Sequence, residues 1–182
     1  MKDTIRLFTA AVLPQDLKTE LQGQLLQFQD PAIRLVPAQN LHLTLYFIGN
    51  APVQQLSGIK HKIQQVVRQH APFTLTFERT EPGPKPAHPR LVWARFAPHP
   101  QFEALSHDLT QALAEQPPAK QKAIPHVTLA RFRKDKPAPK GLPTLNSEKP
   151  LLLPVSEIAL WQSELAAPHP IYTVLESYPL GR

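Results

Sequence analysis

Residues 40–49 read NLHLTLYFIG, and residues 125–131 read PHVTLAR. Each holds a His-x-Thr triplet inside an apolar run: His42-Leu43-Thr44 and His126-Val127-Thr128, 84 positions apart in a chain of 182. The β-branched and aromatic residues around each triplet favour a strand. Side chains two apart on a strand share a face, about 6.5 Å apart along it. His42, Thr44 and Tyr46 are therefore expected on one face, with Leu41, Leu43, Leu45 and Phe47 turned to the core. His126 and Thr128 repeat this, with Val127 and Leu129 inward. Polar side chains are costly to bury without partners, so both His/Thr faces are expected to line a wet cleft. Two copies in matching contexts imply one site built from two halves.

Outward from these strands the pattern alternates. Ile5–Leu13 is a strand closed by Pro14, and Gln15–Gln29 carries Leu17, Leu21, Leu25 and Phe28 at helical spacing. Ile33–Val36 is short and extended, and Gly49-Asn50 ends the first His-x-Thr strand as a turn. Val53–His70 and Pro100–Glu115 have helical periods; Phe73–Phe77 and Arg90–Phe96 read as strands. Glu81–Pro89 and Asp135–Pro150 are proline-rich loops, and Val155–Gln162 and Ile171–Leu180 are the last strands. The predicted order, β-α-β-β-α-β-β-α-β-β-β, points to an α+β fold. The matched positions of the two motifs predict two pseudo-symmetric lobes of antiparallel sheet, with outer helices around a central cleft. Residues 1–182 are read as a single bilobal domain.

The composition, 42% hydrophobic and 19% charged, is that of a globular chain. The absence of cysteine excludes disulfides and thiolate metal sites and fits a cytoplasmic setting. No signal peptide and no apolar run of roughly 18 residues is present, so no membrane partner is expected. A net charge of +6 favours polyanionic partners, nucleic acid the commonest.

Two opposed histidines suit in-line cleavage of a phosphodiester, which needs a base on one side of phosphorus and an acid on the other. With ordinary pKa values near 6.5, one neutral and one protonated ring are expected near pH 7. Each role is worth roughly 10²- to 10⁴-fold in rate. The threonine hydroxyls would donate to the non-bridging oxygens. This chemistry needs no metal or cofactor, and no HxH or HxxxH pair is present. The remaining histidines, at 61, 70, 88, 99, 107 and 169, read as surface residues. No GxSxG elbow or cysteine nucleophile exists.

At these residues the sequence resembles the 2H phosphoesterase superfamily, and within it the RNA 2′,3′-cyclic phosphodiesterase branch, also called 2′-5′ RNA ligase. RLFTAAVLP at 6–14, VWARF at 92–96 and SELAAPHPIYTVL at 163–175 are similar to further family strands. The resemblance implies hydrolysis of a terminal RNA 2′,3′-cyclic phosphate to a 2′-phosphate, with 2′-5′ joining as the reverse. By position, His42 would be the proton donor, His126 the proton acceptor, and Thr44 and Thr128 phosphate-binding. Arg131 would also bind phosphate, provided the strand ends or bulges near Ala130; a regular strand would bury it beside Val127 and Leu129. Arg133 and Lys134 read as a diffuse basic rim. Tyr46 and Phe8 are candidate base or ribose contacts, with core packing as the alternative. A monomer acting on RNA is expected. Other readings are a hydrolase of a small cyclic nucleotide phosphate and a non-catalytic RNA-binding module.

Overall fold

The computed structural model describes residues 3–119 and 122–181. The chain runs β1 (Thr4–Val12), α1 (Gln15–Gln24), β2 (Ile33–Leu35), β3 (His42–Pro52), α2 (Leu56–Val67), β4 (Phe73–Gly83), β5 (Leu91–Phe96), α3 (Pro100–Leu113), β6 (His126–Phe132), β7 (Leu152–Val155), β8 (Glu157–Glu164) and β9 (Ile171–Pro179). The fold is mixed α+β, and the strand pairs are antiparallel throughout.

The strand order is β7-β4-β5-β6-β3-β1-β8-β9, with β2 added to β6. It divides into two four-stranded halves, β3-β1-β8-β9 and β6-β5-β4-β7. A His-x-Thr strand is the innermost member of each. Each half also contains a related unit, β5-α3-β6 in one and β1-α1-β3 in the other, the latter with β2 inserted between α1 and β3. The halves meet where Leu43 of β3 pairs with Val127 of β6, both fully buried.

The helices cover the face away from the cleft. In α3, Phe102, Leu105 and Leu109 recur at helical spacing and are buried. Complete burial of one such side chain stabilises the fold by about 1.5–3 kcal/mol. The α3 hydroxyl of Ser106 donates to the Leu45 carbonyl of β3 at 2.7 Å. Beside it, α2 buries Ile59, Ile63 and Val67, and Lys60 pairs with Glu176 of β9 at 2.9 Å. The α1 stripe of Leu17 and Leu21 continues through Leu25 and Phe28, but the last turn tightens to a 3₁₀ helix over Leu25–Phe28.

Two boundaries differ from the sequence pattern. The strand β4 runs on through Glu81-Pro82-Gly83, which the prolines made read as loop. Its partner β7 covers only Phe73–Thr76, so Pro82, lacking an N–H, sits where that side of β4 is unpaired. The strand expected over Val155–Gln162 begins only at Glu157, as β8; Val155 instead ends a separate strand, β7, and Ser156 breaks the two. The first, β7, pairs with β4 in one half, and β8 pairs with β1 in the other. Among the described residues no helix is long and apolar enough to cross a membrane.

Candidate active site

An antiparallel pairing of Leu43 with Val127 sets His42 opposite Thr128 and Thr44 opposite His126. On a regular ladder the two histidines then stand at diagonal corners, about 7–8 Å apart. All four side chains are half-buried while the alternating leucines and valine are buried, as two-residue periodicity requires.

The alternation breaks just after each triplet. Along β3, Ala10 pairs with Thr44 but Thr9 pairs with Tyr46, leaving Leu45 as an extra residue. Along β6, Trp93 pairs with Thr128 but Val92 pairs with Ala130, leaving Leu129 extra. A bulge of one residue reverses the faces beyond it. The fifth residue after each histidine thereby joins the site face: Arg131 in one half and Phe47 in the other. Arg131 lies with His42, His126, Thr44 and Thr128 around one cavity of about 490 Å³. Tyr46, expected beside His42, instead lines a separate depression with Ile48, Ile59 and Leu113. Phe47, expected in the core, is 47% exposed in the cleft, with the Arg6 guanidinium 4.8 Å above its ring. Side-chain hydroxyls hold the first bulge: Ser106 donates to the Leu45 carbonyl at 2.7 Å and Thr9 to the Tyr46 carbonyl at 3.3 Å.

The two histidines are held alike. His42 Nδ1 lies 2.7 Å from the Asn40 carbonyl oxygen, and His126 Nδ1 lies 2.7 Å from that of Ile124. A carbonyl only accepts, so Nδ1 carries the hydrogen in both rings and Nε2 is left for chemistry. Each ring also rests on an aromatic shelf from the neighbouring strand. Phe8 of β1 lies 4.8 Å from His42 and Trp93 of β5 lies 5.0 Å from His126. Phe8 is only 2% exposed, tilted against His42 and stacked on Trp161 at 5.8 Å, so it supports the histidine and presents almost no surface to a base. Tyr172 of β9 meets His42 edge-on at 5.3 Å and stays partly exposed in the cleft.

Electrostatics alter the expected protonation. Burial lowers the His42 pKa to about 4; the Asn40 carbonyl opposes this, while Arg131 and His126 add to it. Burial likewise lowers that of His126, opposed by the Ile124 carbonyl and assisted by Arg131 and Arg95. Both shifts favour the neutral ring at pH 7, where one neutral and one charged ring were expected. A bound anion beside Arg131 would reverse the largest charge effect on His42. Among the described residues no group of three His, Cys, Asp or Glu side chains is arranged to hold a metal ion.

A second cavity, of about 410 Å³, adjoins the first and shares His42, Thr128, Arg131, Pro170 and Tyr172 with it. Arg34, Arg133, Lys134 and His169 also line it, so the residues read as rim and surface form a chamber wall. Phe47, Tyr172, Arg34 and His169 were assigned no site role from the sequence. Phe47 was hidden by the bulge; the others reach the cleft from strands and a turn remote in sequence.

A model described as the 2′-5′ RNA ligase superfamily matches residues 11–166. The chain is 34% identical to an RNA 2′,3′-cyclic phosphodiesterase of Thermus thermophilus, over 97% of this chain and 90% of that one. It is 27% identical to a protein of the same name from Methanothermobacter thermautotrophicus, over 97% and 99%. Among solved structures it is similar to TT0787 of Thermus thermophilus, with TM-score 0.85 and 31% identity over 97% and 98%. It is also similar to Escherichia coli LigT complexed with 3′-AMP, with TM-score 0.78 and 25% identity over 98% and 99%.

Proposed function

The chain belongs to the 2′-5′ RNA ligase superfamily, and we propose that its activity is hydrolysis of a terminal RNA 2′,3′-cyclic phosphate to a 2′-phosphate. The observation that carries this reading is the diagonal pair of histidines, each fixed through Nδ1 to the carbonyl two residues before it. That arrangement supplies two Nε2 atoms on opposite sides of a group bound between the strands.

In the proposed reaction His126 Nε2 removes a proton from water as its oxygen attacks phosphorus. The bond from phosphorus to the ribose 3′ oxygen breaks, and His42 Nε2–H gives that oxygen its proton. Thr44 and Thr128 hydroxyls, with the Arg131 guanidinium, hold the non-bridging oxygens as charge builds on them. A neutral His126 is already a base at pH 7. His42 needs a proton to act as acid, and the phosphate monoanion beside Arg131 favours it by offsetting the guanidinium charge. Phe47, exposed in the same cavity, is suited to stack the terminal base. The same groups serve 2′-5′ joining when the 5′-hydroxyl of a second RNA takes the place of water: His126 Nε2 takes its proton, its oxygen attacks the cyclic phosphate, and the 3′ oxygen leaves with the proton of His42.

The test is incubation of a short oligoribonucleotide ending in a 2′,3′-cyclic phosphate, with a chelator present, and identification of the new end. A 2′-phosphate in undiminished yield is expected. A 3′-phosphate would contradict the assignment of the leaving oxygen, and activity abolished by chelator would contradict the two-histidine mechanism.

A further inference from the structure

We propose that the chamber beside the histidines binds the phosphodiester on the 5′ side of the terminal nucleotide, making the protein prefer an oligonucleotide end to a cyclic mononucleotide. The proposal rests on the phosphodiesterase reading and specifies its substrate. Arg34 of β2 and Arg131 of β6 are directly opposed in an antiparallel ladder. Like charges so opposed repel and destabilise the pair. Among the described residues neither has an acidic partner in an ion pair, nor does Lys134 at the same chamber. The one acid of the lining, Asp135, is committed to Arg133 through two hydrogen bonds of 3.1 and 2.9 Å. With Arg131 given to the reacting phosphate, Arg34 and Lys134 remain as two uncompensated cations on one concavity, the electrostatic signature of a second anion site.

The position of the chamber selects which anion. It opens onto His42, Thr128 and Arg131, so its occupant is contiguous with the reacting phosphate. A cyclic phosphate ends the RNA at its 3′ side, so the chain continues only in the 5′ direction. In that direction lie the terminal nucleoside and then the next phosphodiester, and cationic walls fit the phosphodiester. Arg34 is oriented for this by donating to the Pro168 carbonyl at 3.2 Å. Asn40, two residues before His42, donates to the Pro170 carbonyl at 2.9 Å. The turn that floors the chamber is thus tied to the segment that carries the histidine.

The test compares kcat/KM for four substrates: a cyclic mononucleotide, its 5′-phosphorylated form, a dinucleotide with the same cyclic end, and that dinucleotide with an uncharged methylphosphonate linkage. Loss of one charge-assisted contact is expected to cost roughly tenfold on the methylphosphonate. In the Arg34→Gln, Lys134→Gln double variant the two dinucleotides should differ less than about twofold, with cyclic mononucleotide turnover retained as proof of folding. Equal rates on both dinucleotides in the wild type, with the mononucleotide still hydrolysed, overturn the proposal and leave the phosphodiesterase reading standing. The 5′-phosphorylated mononucleotide should exceed the unphosphorylated one, because its phosphate occupies the same place; no gain over the unphosphorylated form also overturns the proposal. No hydrolysis of any of the four removes both.

Discussion

At His42 the requirements of support and of chemistry oppose each other. Phe8, Trp161 and Tyr172 fix the ring, but the burial they impose lowers its pKa to about 4. The unfolded chain, with an ordinary value near 6.5, therefore binds more protons than the folded one between about pH 4 and 6.5. Stability should fall as pH drops through that window and level off below it, by at most about 3 kcal/mol from this residue. Urea unfolding at pH 7 and pH 4.5 checks this: His42→Ala should lose less stability over the interval than the wild type. Equal losses would mean that the ring is not held neutral. The histidines and threonines were legible in the sequence because a two-residue spacing decides their face. Their charge state was not, because it depends on burial and on Arg131, which only the fold brings near.

Between residue and molecule, the bulges decide which side chains enter the cleft. A strict strand alternation assigns Tyr46 to the site and Phe47 to the core, and the extra residue at Leu45 exchanges them. No local residue type announces the bulge. The shorter of its two hydroxyl contacts comes from Ser106 on α3, 61 positions away. Ser106→Ala should cost about 1–3 kcal/mol, because the Leu45 carbonyl loses its buried donor. The midpoint of chemical denaturation measures it, and a change within about 0.5 kcal/mol would show that the bulge holds without it. The exchange of aromatics is tested by steady-state kinetics on an RNA end. Phe47→Ala should raise KM by roughly tenfold or more with little change in kcat, the worth of one stacked base. Tyr46→Ala should leave KM unchanged. The opposite ranking would return Tyr46 to the site. By contrast, Arg131 could be anticipated, because a regular strand would have buried its charge beside Val127 and Leu129.

Across the whole molecule, the duplicated motif and the duplicated fold are the same fact at two scales. Each His-x-Thr strand comes after a strand and a helix, and each lies innermost in its half. That much can be read from two matching patterns in one chain. The passage of the chain from β7 in one half to β8 in the other at Ser156 cannot, since Val155–Gln162 reads as one strand and nothing local marks a break at Ser156. Nor can the walls of the second chamber, drawn from β2, β6 and the Pro168–Pro170 turn. The central claim is that one histidine from each half does the chemistry together. Single-turnover hydrolysis of a cyclic-phosphate-ended RNA by the wild type, His42→Ala and His126→Ala, each checked for folding, tests it most directly. Each variant should be slower by roughly 10²- to 10⁴-fold. A folded variant of either histidine that retains the wild-type rate would contradict the account.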